Sequence, residues 1–398
     1  MKKRFLLILI PCLLIITGCW NRRELNELAL VVGIAIDKAD DNQFLVTVQV
    51  VDAGEIAFKG GGGGRAPVTT YTQKGKTLFE TVRSMTTITP RKLYFSHLQM
   101  VIISEEIAKQ GINHSLEFFT RDPEFRKDFY IAISRDVKAT EIMKNLTSIE
   151  KIPSNKLHSS LEASEKAWAP TVAMRMDELL LQLTSEGDNP VLTGITIKGA
   201  NINHGHSMKN LETISNITRL QYHGIAVFKK DKLIGWLNEK QSKGYNFIKD
   251  NVTNTVGAIP CSKKGKLVIE YIRSNTDVTG KMENGKPKID IKVNLEGNIA
   301  EVACNIDLTK IESIKKIEKT TEKEITKILE SAIKKAKELE VDMFGFGEVI
   351  HRADPKSWKS LKKNWNQEFA NMPVSVTTDF SIRRTGTVNE AFLKEAKE

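Results

Sequence analysis

Ile16-Thr17-Gly18-Cys19 is the stretch whose residue types and spacing point most directly to a reaction. Lys2, Lys3 and Arg4 form a basic leader, residues 5–15 form an apolar run, and the small Gly18 precedes a cysteine where a peptidase would cut. A membrane-spanning helix wants about 20 apolar residues. This run is shorter, contains Pro11, and is followed at once by Asn21, Arg22, Arg23 and Glu24. The expected chemistry is a thioether-linked diacylglyceryl group on Cys19, exposed by removal of residues 1–18. Two acyl chains, at roughly 0.8 kcal/mol per buried methylene, give stable attachment where a single chain would not. The alternatives are an ordinary secretory signal in which Cys19 is incidental, and an uncleaved anchor helix.

The other candidates are weaker. With Cys19 acylated, Cys261 and Cys304 remain in the mature chain; a disulfide between them is geometrically conceivable, but no spacing rule requires it, and two unpaired thiols are the default. Gly75-Lys76-Thr77 resembles the end of a phosphate-binding loop, yet Thr70 stands where that motif needs a glycine. Gly60 to Gly64 has glycines without a strand-to-helix context and reads as a loop. His204, His206 and His223 have no cysteine or acidic residue at a recognisable ligand spacing, so they are expected to be exposed and not to hold a metal. His97 has no serine or cysteine nucleophile to serve and reads as a buried, hydrogen-bonded histidine. Trp358, Leu361, Trp365 and Phe369 recur at helical spacing with Lys359, Lys362 and Lys363 opposite; the stripe reads as a core face, with contact to lipid or a partner as the alternative. No catalytic residue, metal or cofactor is assigned.

The elements around these residues mix two periods. Residues 28–36 and 44–51 are β-rich and flank the turn Ala39-Asp40-Asp41-Asn42, as in a hairpin. Strand-like runs at 68–73, 98–103 and 129–134 alternate with helical spacing at 77–86, 112–120 and 139–146, which predicts a sheet covered by helices. Residues 157–168 have helical character and 172–183 form an amphipathic helix. Gly187-Asp188-Asn189-Pro190 is a breaker and a candidate boundary, followed by short β elements and a helix at 239–248. In the last third, Ile289, Ile291, Val293 and Leu295 alternate with polar residues, as do Val374, Val376, Thr378 and Phe380. Between them, Thr309-Lys310-Ile311-Glu312 reads as a capping box opening a helix of about 30 residues, roughly 45 Å long, with one apolar stripe that Thr321 interrupts.

The expected class is α+β and multi-domain, with mixed sheets, packed helices, and a C-terminal domain of antiparallel sheet and one long amphipathic helix. The expected divisions are 1–18 as signal peptide, 19–186 as an N-terminal α/β-type domain, 187–260 as a middle lobe, and 261–398 as the C-terminal α+β domain. The 380 residues left after processing exceed what a single core usually organises. Losing Lys2, Lys3 and Arg4 lowers the formal net charge from +10 to +7, and the lysines are interspersed with acids. That pattern fits a solvated surface and argues against a nucleic-acid groove.

In order, these segments resemble the Ger(x)C family, the lipoprotein C subunits of the nutrient germinant receptors of endospore-forming bacteria. The lipobox runs into Cys19-Trp20-Asn21-Arg22-Arg23-Glu24-Leu25 and then residues 33–37. Lys74-Gly75-Lys76-Thr77, Arg91-Lys92-Leu93-Tyr94-Phe95-Ser96-His97 and Arg121-Asp122-Pro123 follow. Asp342-Met343-Phe344-Gly345-Phe346-Gly347, Trp358, Trp365 and Arg383-Arg384-Thr385-Gly386 complete the series. The resemblance implies a non-enzymatic subunit of multi-domain α+β fold, held on the outer face of the inner spore membrane by lipid on Cys19. Its implied partners are two polytopic membrane subunits, A and B, the latter similar to amino-acid transporters. It supplies no germinant-binding residues, and residues 201–216 depart from its pattern. A solute-binding lipoprotein of a membrane transporter is the rival; it predicts two similar α/β lobes around a cleft.

Overall fold

The computed structural model describes residues 24–57, 65–199, 201–261 and 265–386; the lipobox with Cys19, and Gly60 to Gly64, lie outside them. A 3₁₀ turn at Leu25–Glu27 leads into β1 (Leu28–Lys38), which pairs antiparallel with β2 (Phe44–Val51) as the expected hairpin. Then come α1 (Ala53–Ala57), β3 (Val68–Gly75), α2 (Leu78–Ser84), β4 (Lys92–Tyr94), β5 (Met100–Ser104), α3 (Glu105–Gln110) and α4 (Asn113–Arg121). The chain continues through β6 (Tyr130–Ser134), α5 (Ala139–Lys144), α6 (Pro153–Ala167), α7 (Met176–Thr184), β7 (Val191–Gly199), β8 (Thr218–Lys229), β9 (Lys232–Leu237) and α8 (Glu239–Ile248).

These nine strands make one mixed sheet in the order β3-β2-β1-β5-β6-β7-β8-β9, with β4 paired to the start of β1. The central pairings β1–β5, β5–β6 and β6–β7 are parallel, and the flanking ones antiparallel. Parallel strands covered by helices on both faces read as unbroken apolar runs. Accordingly Val101, Ile103, Ile131 and Ile133 enter one core, while Met100, Ile102, Tyr130 and Ala132 enter another. That second core is closed by Ala139, Ile142 and Met143 of α5 and Leu157 and Leu161 of α6. The expected boundary at 187 is crossed by this sheet. Residues 191–237 supply its last three strands and do not build a middle lobe with a sheet of its own, because β7 pairs with β6.

The second sheet consists of β10 (Thr255–Pro260), β11 (Lys266–Glu283), β12 (Lys286–Ala303) and β13 (Val374–Arg384), in that order. Between β12 and β13 run α9 (Ile311–Glu338), α10 (Phe346–Ala353), α11 (Pro355–Leu361) and α12 (Trp365–Asn371). The fold class is α+β, with one correction: β13 lies parallel to β12, so the second sheet is mixed and not wholly antiparallel. A long helical crossover returns the chain to the same end of the sheet, which makes a parallel pairing possible. The alternation read in β12 is real, with Ile289, Ile291, Val293 and Leu295 all buried.

The long helix buries Ile317, Ile325, Leu329, Ala332 and Ala336. Thr321, also buried, satisfies its hydroxyl by donating to the Ile317 carbonyl at 2.9 Å. The capping box does not form. The Thr309 amide and hydroxyl both donate to Asp307 (3.0 and 2.6 Å), and the helix starts one residue later, after Lys310. An Asx turn two residues upstream outcompetes the cap. The core on one face of the large sheet is continuous with that of the second sheet and α9, so the two units share buried apolar surface.

Candidate functional site at the junction of the two sheets

The candidates separate sharply. Cys19 lies outside the described residues. Cys261 and Cys304 are joined in a disulfide with Cα atoms 6.4 Å apart, tying the end of β10 to the end of β12, so the default of two unpaired thiols does not hold. Thr77 caps α2 by accepting the Glu80 amide at 3.2 Å, which gives Gly75-Lys76-Thr77 a structural role. His97 is exposed, contrary to the expected buried histidine. His206 Nε2 lies 3.0 Å from the Glu141 carboxylate, and among the described residues no group of His, Cys, Asp or Glu could hold a metal ion. Trp358, Trp365 and Phe369 are buried while Lys359, Lys362 and Lys363 are exposed, so the aromatic stripe is a core face.

At the C-terminal ends of the central parallel strands, where open α/β sheets usually take a ligand, polar groups are spent on helix caps. Asp37 accepts the Ala139 and Thr140 amides, each at 2.8 Å, and the Thr140 hydroxyl at 2.7 Å. Ser104 accepts the Ile107 amide.

A buried polar site that joins the two sheets is the loop between α9 and α10. Asp342 is fully buried, and its carboxylate accepts four bonds: Phe344 N (3.1 Å), Gly345 N (3.0 Å), Gly347 N (2.7 Å) and Trp365 Nε1 (2.9 Å). The loop can wrap its own carboxylate because Gly345 adopts φ 76°, a region open chiefly to glycine. Burial pushes the Asp342 carboxyl up, and the N–H groups of Gly347, Trp365 and Phe344 oppose that.

The breaker of the large sheet docks here. A Cβ on Gly187 would stand 2.9 Å from Gly347 Cα and 2.8 Å from the Trp358 ring, so the two backbones touch only because both residues are glycine. Asn189 Nδ2 donates to the Asp342 carbonyl at 3.2 Å, and its Oδ1 accepts the Lys230 amide. Lys249 Nζ sits 3.7 Å from Asp188 and donates to the Phe344 carbonyl at 3.2 Å. A cleft of about 790 Å³ opens alongside, between residues 182–190 and 362–367. The contact unites segments about 150 residues apart, and only the two glycine-containing motifs signalled it in sequence.

Burial pushes the Asp188 carboxyl up to about 7, with Lys249 pulling it down and Asp342 pushing it further up. The folded chain therefore holds a proton that the unfolded chain releases near pH 4. This group's stabilisation is complete below that pH and is lost as pH rises to about 7. The expected result is that Asp188→Asn flattens the dependence, removing roughly 2–4 kcal/mol of the fall in stability between pH 4.5 and 7.5. Urea midpoints for both chains at the two pH values check it; parallel curves would refute the assignment.

Comparison with known proteins matches residues 21–197 to a family described as spore germination protein N-terminal domain. Residues 223–386 match one described as spore germination B3/GerAC like, C-terminal. Spore germination protein KC of Bacillus subtilis (strain 168) is 32% identical over 392 residues, covering 97% of this chain and 96% of that protein. The chain belongs to the GerAC-like spore germination family. Spore germination protein B3 of the same organism is 23% identical over 395 residues, covering 95% of this chain and 96% of that one. The crystal structure of the GerBC protein superposes with a TM-score of 0.57 at 17% identity, covering 88% of this chain and 97% of that one, and so shares the fold. Membership gives the chain a role in spore germination.

Three of the segments on which the sequence resemblance rests make internal contacts in the large-sheet unit. A Cβ on Gly33 would collide with Ser154 Oγ and Met143. Lys92 pairs with Glu124, Ser96 donates to the Glu124 carbonyl at 3.0 Å, and Phe95 packs 4.8 Å from Phe125, which seats the Arg121-Asp122-Pro123 turn on β4.

Proposed function

We propose that the chain is a lipid-anchored, non-catalytic subunit of a nutrient germinant receptor. It is held on the outer face of the inner spore membrane through Cys19 and acts by contact with two polytopic membrane subunits, A and B. The observation that carries this reading is a lipobox directly preceding a chain that aligns along almost its whole length with spore germination protein KC. The Cys261–Cys304 disulfide supports a position outside the cytosol, where such bonds persist. Among the described residues no helix is long and apolar enough to cross a membrane. Tethering raises the local concentration of the chain beside membrane partners, so weak interfaces suffice. A core shared between the two units lets a contact on one be felt by the other. The transporter reading expects two similar lobes, whereas the two sheets differ in strand number and order.

Cys19→Ala is expected to block acylation and cleavage, so that residues 1–18 stay attached and the diacylglyceryl mass is missing, read by the mass of the chain. Normal processing of this variant would sink the anchor. Deleting the chain is expected to abolish or slow germination in response to at least one nutrient while sparing a non-nutrient trigger. An unchanged response to every nutrient, in a strain without other receptors, counts against the role.

A further inference from the structure

We propose that the end of the large sheet at which β1 begins rests on the bilayer, with Ile56, Phe79 and Ile88 in contact with lipid. The proposal depends on Cys19 being acylated and goes beyond it by assigning the face that the anchor holds down.

Three segments surround the point where the chain leaves toward Cys19. Leu28, the first residue of β1, pairs with Lys92 of β4, and the turn carrying Ile88 feeds that strand. Val50 lies opposite Val31, so β2 finishes at the same end and leads into α1 with Ile56. Phe79 and Arg83 of α2 line one groove with Lys92 and Leu93. The described residues leave ten large apolar side chains exposed, and three of them are here: Ile56 (36%), Phe79 (51%) and Ile88 (46%). Phe79 borders a groove of about 580 Å³ that it lines with Leu78 and Phe118 beside Glu117, Arg121 and Asp122, and the Arg83 guanidinium stacks 5.0 Å from its ring. An aromatic ring paired with an arginine that can reach outward suits headgroup depth.

The tether gives these residues a partner. Four residues separate Glu24, the first described, from Cys19, so five steps of about 3.5 Å give a reach of at most about 18 Å. A compact chain of this length has a radius of gyration of about 21 Å. The tether is thus shorter than the molecule is wide, and this corner stays at the membrane surface whatever the rest does. Arg22, Arg23, Arg65 and Arg91 lie in the tether or at the same end, and Glu24 and Glu27 offset two of these four charges. The acyl chains and the apolar side chains carry the contact, so it persists at high salt.

The test uses the acylated full-length mature chain in vesicles of equal parts phosphatidylcholine and phosphatidylglycerol. With Cys19 in a thioether and Cys261 bonded to Cys304, a cysteine introduced by Ile88→Cys or Ile56→Cys is the free thiol for a nitrobenzoxadiazole probe. Emission at both positions is expected to shift to shorter wavelength, brighten several-fold on vesicles, and be quenched by nitroxide-bearing lipid in low and high salt. A probe at exposed Ile311 (Ile311→Cys) is expected to stay unchanged. Probes at 56 and 88 that remain in water while the chain floats with the vesicles overturn the proposed face and leave the anchor standing. Protection that appears only when other membrane proteins are added also overturns it, in favour of a protein contact. A mature chain without the diacylglyceryl mass removes the anchor and this inference together.

Discussion

Asp342→Ala is expected to lower the stability of the folded chain by about 3–5 kcal/mol, the usual range when one partner of a buried, multiply bonded charge is removed. The Asp342 carboxylate is the acceptor for Phe344 N, Gly345 N, Gly347 N and Trp365 Nε1. Removing it strands four buried donors, each of which costs about 1–3 kcal/mol unsatisfied. Part of this is offset because the variant no longer keeps a carboxylate away from water. The loss should be concentrated at the junction, since the same loop seats Gly187 and Asn189 of the large sheet. Asp342→Asn tests the charge with little change in volume. It keeps one acceptor oxygen but turns an NH₂ toward N–H donors, so it should recover only part of the loss. Chemical denaturation followed by tryptophan emission checks both variants. An Asp342→Ala midpoint within error of wild type would mean that this buried cluster does not hold the units together.

Opening the Cys261–Cys304 bond is expected to cost about 4 kcal/mol on loop entropy alone, because it closes a loop of 43 residues. The measured cost should be smaller, about 2–4 kcal/mol, since engineered and native cross-links often deliver less than the entropy model predicts. Here the β11–β12 hairpin lies inside the closed loop, and any residual pairing in the unfolded chain would already shorten it. Guanidinium midpoints of the oxidised chain, the reduced chain and the Cys261→Ala/Cys304→Ala double variant are the measurement. The reduced and variant chains should coincide below the oxidised one. Two titratable thiols in the non-reduced, unfolded mature chain would show that the bond is not formed.

Much of the large sheet was legible because its buried parallel strands carry period-independent apolar runs and its hairpin carries period-2 alternation with a polar turn. The limit of that reading is visible at residues 191–237. Their strands are evident in sequence, but which sheet they join depends on the pairing of Ala132 with Thr193 and Ile133 with Gly194, about 60 residues away. Likewise β13 shows a clean alternation that says which face is wet and nothing about direction; parallel pairing with β12 follows from the route of the chain through α9 to α12. Thr309 does not cap α9 because Asp307, only two residues earlier, offers a stronger local acceptor.

The candidate site divides the same way. Sequence alone predicts the lipobox, a linear signal that needs no fold to be read, and it determined the apolar stripe of α9 and the helical spacing of Trp358, Trp365 and Phe369, because these depend on spacing within one segment. Tertiary structure decided that Asp342 is a hub, that Gly187 and Gly347 are glycines for each other's sake, that Cys261 finds Cys304, and that Ile56, Phe79 and Ile88 lie toward the end of the large sheet at which β1 begins. Each of these is a contact between segments far apart in the chain. Local periodicity carries no information about such contacts until the sheets pair and close the distance.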